Sequence, residues 1–243
     1  ASAAVLDRAH DALELFKDLT DKNPKNVHWW NIHPSRREPL LPHARMYREA
    51  LYEFIDPRDL PTLQSSSVHF LMSSYPTWLK GAIGAAAALT IYALEMTLRE
   101  DPLHPKWPAK AGFRPLVGRS PDCRTLDDYL AKVLAASCVP PVVPEGRFRG
   151  QNVLDGGLIE NIPVRLAEDE PGKTLVLLSR KYEHPLPSNE RVTWVQPSKP
   201  IRIDKFVYAN PRGLQETVDL GFADGASYVR RCAPEGEVYG SAQ

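Results

Sequence analysis

The chain has 243 residues, 43% of them hydrophobic, with 30 Lys and Arg balanced by 30 Asp and Glu. That length supports the core of one large domain or two small ones and excludes a small disulfide scaffold. The balanced charge excludes the strongly basic surface that attracts nucleic acid or an anionic membrane, so no nucleic-acid partner is expected.

The opening residues, Ala1 to Leu19, carry apolar positions such as Leu13, Phe16 and Leu19 at helical spacing and predict one helix, entered in mid-course. They lack the basic stretch and cleavage site of a secretory signal. The segment "VHWWNIHPSRREPLLPH", rich in Pro and aromatics, reads as a loop or lid. A helix from about Arg45 to Ile55 follows, then a strand near Val68 to Met72. Next comes the apolar "GAIGAAAALTIYALEMTL", Gly81 to Leu98, near the minimum length for crossing a bilayer. Its alanines contribute little to insertion and Glu95 opposes it, which favours a helix packed within a globular core.

Thr125 with Asp128 three residues later marks a helix start, and Leu126, Leu130, Val133 and Leu134 give it one apolar face through to Ser137. Val153-Leu154 is a short apolar piece, Pro163 suits the first turn of a helix to about Glu168, and "TLVLL", Thr174 to Leu178, reads as a buried strand. Val192 to Val195 is a further strand, and a last helix covers Pro211 to Arg230. Strands alternating with helices point to an α/β fold with a mostly parallel sheet covered on both faces. No internal repeat divides the chain, and one domain over 1–243 is expected. Cys123, Cys138 and Cys232 are odd in number and lack C-x-x-C spacing. They fit reduced thiols in a reducing, cytoplasmic compartment better than a disulfide framework or a zinc site.

The stretch "NVLDGGLIENIPV", Asn152 to Val164, holds the most chemistry. Asp-Gly-Gly between apolar runs is by itself a tight-turn signal. Here it stands between "AASCVPPVVPEG", where a helix ends in small residues before a double proline, and Asn161-Ile162-Pro163, which opens the next element. On Ala136-Ser137 with Pro140-Pro141, on Asp155-Gly156-Gly157 and on Asn161-Ile162-Pro163, the chain looks like the patatin-like phospholipase family. "YANPRGLQETVDLGFADG" is similar to the C-terminal helix region of bacterial members.

The resemblance implies a three-layer α/β/α fold and a serine–aspartate dyad that hydrolyses acyl esters of lipids through a covalent acyl-serine, without metal or other cofactor. Asp155 falls on the dyad aspartate, and a carboxylate at a strand end can orient and deprotonate a serine hydroxyl. Gly156 and Gly157 support it, either by letting backbone approach closely or by taking positive φ in a turn. The partners implied are a lipid or ester substrate and peripheral contact with a membrane.

The nucleophile should sit in a G-x-S-x-G elbow after a Gly-rich oxyanion loop, and these residues contain neither. One account is that a strand, Gly-rich loop and elbow of roughly 30 to 50 residues, the size of one βαβ unit, precede Ala1. A second is a non-catalytic binding or scaffolding domain that keeps the fold. A third makes Ser2 in "ASAA" a degenerate elbow, with Ala4 in place of glycine, and a fourth supplies the elbow from a separate polypeptide.

Other candidates carry less. His28 and His33 have no ligand spacing and no partnering carboxylate or cysteine. Trp29, Trp30 and Ile32 suit either buried packing or the lining of an acyl pocket. Ser137 lacks elbow glycines and reads as a helix-end hydroxyl.

Overall fold

The computed structural model describes residues 1–28, 41–79, 81–99, 102–168, 170–187, 189–203 and 209–232. They form an α/β protein of two compact units, Ala1–Ala167 and Glu168–Gln243, where the sequence suggested one domain. His33 and the aromatic positions Trp29, Trp30 and Ile32 lie outside the described residues.

The first unit opens with α1 (Ser2–Val5) and α2 (Ala9–Lys22) in place of one continuous helix. The break falls at Asp7, whose φ of 52° is left-handed, a conformation that Asp tolerates better than most residues. Then follow α3 (His43–Phe54), α4 (Leu60–Ser65), β1 (His69–Ser74), α5 (Gly81–Leu98), α6 (Trp107–Lys110) and β2 (Arg114–Arg119). The unit closes with α7 (Leu126–Ala135), β3 (Gly146–Phe148), β4 (Gln151–Asp155) and two 3-10 turns, Gly156–Leu158 and Val164–Ala167. Thr125 caps α7 by accepting from Asp128 N at 3.1 Å, while the Asp128 carboxylate turns to Arg124 N. The helix expected from Pro163 is only a 3-10 turn.

These strands build a sheet in the order β2-β1-β4-β3, antiparallel at every ladder. The expected mostly parallel sheet is therefore not what pairs in this unit. One cause is local. Arg149 and Gly150 both take positive φ, 49° and 75°, which closes β3 and β4 as a two-residue hairpin. The other is that a helix between two strands does not fix their direction: α5 and α6 return the chain so that β2 runs against β1.

A core lies on each face of this sheet. Val153 belongs to the cluster formed with Phe70, Met72, Tyr129 and Leu130. Its neighbour Leu154 belongs to the one formed with Ala85, Ala88, Phe113 and Leu158, because successive strand residues point to opposite faces. Helices α3, α4 and α7 thus cover one face and α5 the other.

Helix α5 spans the residues that its composition predicts, and it is the one described helix long and apolar enough to cross a membrane. Only Gly84, Ala85, Ala88 and Glu95 in it are buried, and Ile83, Leu94 and Leu98 are exposed, so the expected core packing holds along a single stripe. Glu95 has a structural reason to be there. Its carboxylate is fully buried and accepts from Lys106 N at 2.8 Å and Trp107 N at 2.6 Å, which caps α6, while Arg99 pairs with it at 2.6 Å.

The second unit pairs β5 (Thr174–Leu177) with β6 (Val192–Val195) in parallel. The expectation of a buried β5 is met only at Val176, for Leu175 and Leu177 are exposed. Helix α8 (Pro211–Cys232) begins where the Asn210 side chain accepts from Gly213 N at 2.9 Å. The loop after β6 is tied to it by Ser198 N donating to Asp224 at 2.8 Å.

Candidate active site

Asp155 is the last residue of β4, opposite Met72 of β1. Its backbone N–H donates to Cys138 O at 2.9 Å, which ties the strand end to the segment after α7. Its Oδ1 accepts from Gly157 N at 2.6 Å and caps the 3-10 turn that follows. The carboxylate is therefore held by its own turn, as Asx side chains commonly are.

The two glycines are there for room. Positive-φ glycines among the described residues are Gly81, Gly112, Gly150 and Gly172, so the turn needs no left-handed residue at Gly156 or Gly157. A Cβ on Gly156 would lie 2.5 Å from both Leu71 Cγ and Leu71 O, so glycine lets the turn pass directly over β1. A Cβ on Gly157 would stand 3.0 Å from Asp155 Oδ1.

Asp155 opens on a cavity of about 550 Å3 that also takes in Ser2, Tyr47, Ser137, Asn161 and Pro163. Ser2, Ser137, Asp155, Asn161 and Pro163, all singled out from the sequence, thus meet in one place, although they come from α1, the segment after α7, the end of β4 and the segment after it. The remaining wall is mostly apolar, with Leu15 and Phe16 of α2, Leu51 and Phe54 of α3, and Val133 of α7. His28 is not part of it.

Three side chains near Asp155 could act as nucleophile, and their surroundings separate them. The Cys138 thiol is buried and faces the Asp155 charge, which together push its pKa up to about 12 and deny it thiolate character. Ser137 donates its hydroxyl to Val133 O at 3.1 Å, one turn back, and receives the Tyr47 hydroxyl at 3.3 Å. Its role as a helix-end hydroxyl is the one its sequence position suggests. Ser2, the first residue of α1, instead meets the hydroxyl of Tyr129 at 2.8 Å.

Two tyrosines complete the site, and neither was legible as functional. Tyr129 is fully buried, packed edge-on against Phe70 at 5.2 Å between ring centres. Burial raises its pKa, and the bond to Ser2 opposes that only in part. Tyr47 is likewise raised, chiefly by burial, with the Ser137 bond opposing and the Asp155 charge adding. Both therefore remain hydroxyl donors. In sequence they are helix tyrosines with no distinguishing spacing.

Asn161 accepts from the Tyr92 hydroxyl at 3.0 Å, which anchors the segment after the turn to α5. Glu160 is buried and forms a two-pronged pair with Arg165, 2.7 Å at the closer contact. Among the described residues no three His, Cys, Asp or Glu side chains gather as a metal site. Comparison of the chain with family models, with curated proteins and with solved structures finds no match.

Proposed function

We propose that the protein is a patatin-like acyl-ester hydrolase in which Ser2 is the nucleophile and Asp155 the general base. The observation that supports this most is the convergence of Ser2 and Asp155 on one largely apolar cavity, from opposite ends of a 167-residue unit. Ser2 Oγ attacks the ester carbonyl carbon while its proton passes to Asp155. Collapse of the tetrahedral intermediate breaks the bond to the alcohol, which leaves with that proton, and the acyl group stays on Ser2. Water then attacks the acyl-serine, gives its proton to Asp155 and releases the acid, and Ser2 recovers its hydrogen. Tyr129, bonded to Ser2 Oγ, fixes the hydroxyl from the buried side.

The lipid-metabolic role, the three-layer architecture of that family, a cytoplasmic location and peripheral membrane contact go with this reading and stand or fall with it. The sheet's two covered faces favour the architecture, and its antiparallel ladders count against it. A second reading, a binding domain that does no chemistry, is favoured by one observation: Asp155 caps its own turn through Gly157.

Fluorophosphonate labelling with peptide mapping separates the two. The expected result is label on Ser2, lost in Ser2→Ala, with ester hydrolysis reduced about 10²- to 10⁴-fold in a folded Asp155→Asn protein. Full activity in Asp155→Asn removes Asp155 as the general base, and no label on folded protein removes the hydrolase reading.

A further inference from the structure

We infer that this site takes uncharged acyl esters and discriminates against esters that carry an anionic head group. The inference rests on the Ser2–Asp155 reading and adds the substrate class to it. The cavity presents two carboxylates, Asp155 and Glu160, against a single imidazole, His69, and among the described residues no lysine or arginine side chain lines it. The nearby guanidinium groups are committed elsewhere: Arg165 forks onto Glu160, and Arg8 is paired with Asp59 while stacking 4.9 Å above the Phe54 ring.

A phosphate that enters a mostly apolar, partly dehydrated space needs a cationic fork or a row of N–H donors to replace its water. This wall offers instead a carboxylate that must stay ionised to act as base. A neutral ester meets no such penalty: its chain lies along Leu15, Phe16, Leu51 and Phe54, and its alcohol portion faces Tyr47 and Asn161.

The test uses the whole protein and two soluble substrates that share one acyl ester, 1-octanoylglycerol and 1-octanoylglycerol 3-phosphate, with Ser2 labelling by fluorophosphonate in the same samples. The expected result is a kcat/KM at least tenfold higher for the uncharged ester, with the gap narrowing between 0.05 and 0.5 M salt as screening shortens the reach of the carboxylates. Equal rates, or preference for the phosphate, with Ser2 labelled would overturn the substrate class and leave the dyad standing. Hydrolysis of neither ester, with Ser2 unlabelled on folded protein, removes the dyad reading and this inference together.

Discussion

Replacing Gly156 and Gly157 one at a time by alanine separates the fold's demand on this turn from the site's. At Gly156 the new methyl meets Leu71 Cγ and the Leu71 carbonyl oxygen, each at 2.5 Å. That is about 1 Å inside an ordinary carbon–oxygen contact of roughly 3.3–3.6 Å. The obstacle cannot rotate away, because Leu71 is backbone of β1 and is paired with Val117 of β2. Overpacking a rigid site costs about 1–3 kcal/mol, and a backbone obstacle argues for the upper end, about 3 kcal/mol. For a unit of this size that lowers Tm by roughly 6–12 °C. At Gly157 the methyl meets only the Asp155 carboxylate, at 3.0 Å, and a side chain can turn. Stability should then change by less than about 1 kcal/mol, while displacement of the base lowers ester hydrolysis tenfold or more. Urea and thermal unfolding read the first effect and kcat reads the second. A Gly156→Ala protein within about 1 kcal/mol of the parent would refute the close approach over β1. A Gly157→Ala protein with full activity would show that the Asp155 carboxylate is not positioned by this turn.

Two further substitutions probe the supports of the site. Glu95 is driven up in pKa by burial, but the N–H groups of Trp107 and Lys106 and the Arg99 guanidinium outweigh that and hold it below the usual carboxylate range. Its contribution is therefore complete above about pH 4.3, the unfolded value, and is lost as pH falls through the lower folded one. Glu95→Gln should cost about 2–3 kcal/mol near neutrality, since an amide places donors against donors. The difference from the parent in urea midpoint should shrink below pH 4, and a difference independent of pH would contradict the assignment. Tyr129→Phe keeps the ring against Phe70 and removes only the bond to Ser2, so stability should fall by about 1 kcal/mol. The fluorophosphonate labelling rate of Ser2 and kcat should fall about tenfold with KM nearly unchanged, whereas an unchanged labelling rate would reduce Tyr129 to a packing residue.

Helices and their caps were legible because their signals are local. Gly81–Leu98 is helical at both expected ends, and the Thr125 hydroxyl caps α7 as the Thr-x-x-Asp spacing indicates. What escaped depends on contacts far along the chain. Strand β2, "RPLVGR", is flanked by charge and broken by Pro and Gly, so its strand character comes from six paired positions on β1 and not from its own propensity. Strand β3 has three residues and exists because Arg149-Gly150 folds it onto β4, with arginine where hairpin statistics favour asparagine or aspartate. Strand direction was lost for the same reason, since alternating apolar runs say which segments are strands and not which way they meet. In the site, Asp155 stood out by its flanking motif, whereas Tyr129 is defined by a partner 127 residues away.

The turn reading and the chemical reading of Asp155 compete in the sequence, and the geometry of the turn is compatible with both. An ionised carboxylate has about four acceptor positions on two oxygens, so the bond from Gly157 N does not by itself exhaust them. That bond fixes the plane of the carboxylate, which a general base requires in any case, because proton transfer falls off steeply with misplacement. Gly156 supplies the same service from below by letting the turn settle onto Leu71, and the N–H of Asp155 anchors the strand end to Cys138 O. A turn built only to reverse the chain could be made from many sequences. One so close to a neighbouring strand that a Cβ on Gly156 would stand 2.5 Å from Leu71, with its aspartate lining a cavity shared with a serine held by a buried tyrosine, is constrained at each step, and the constraint falls on the residues that acyl transfer would use.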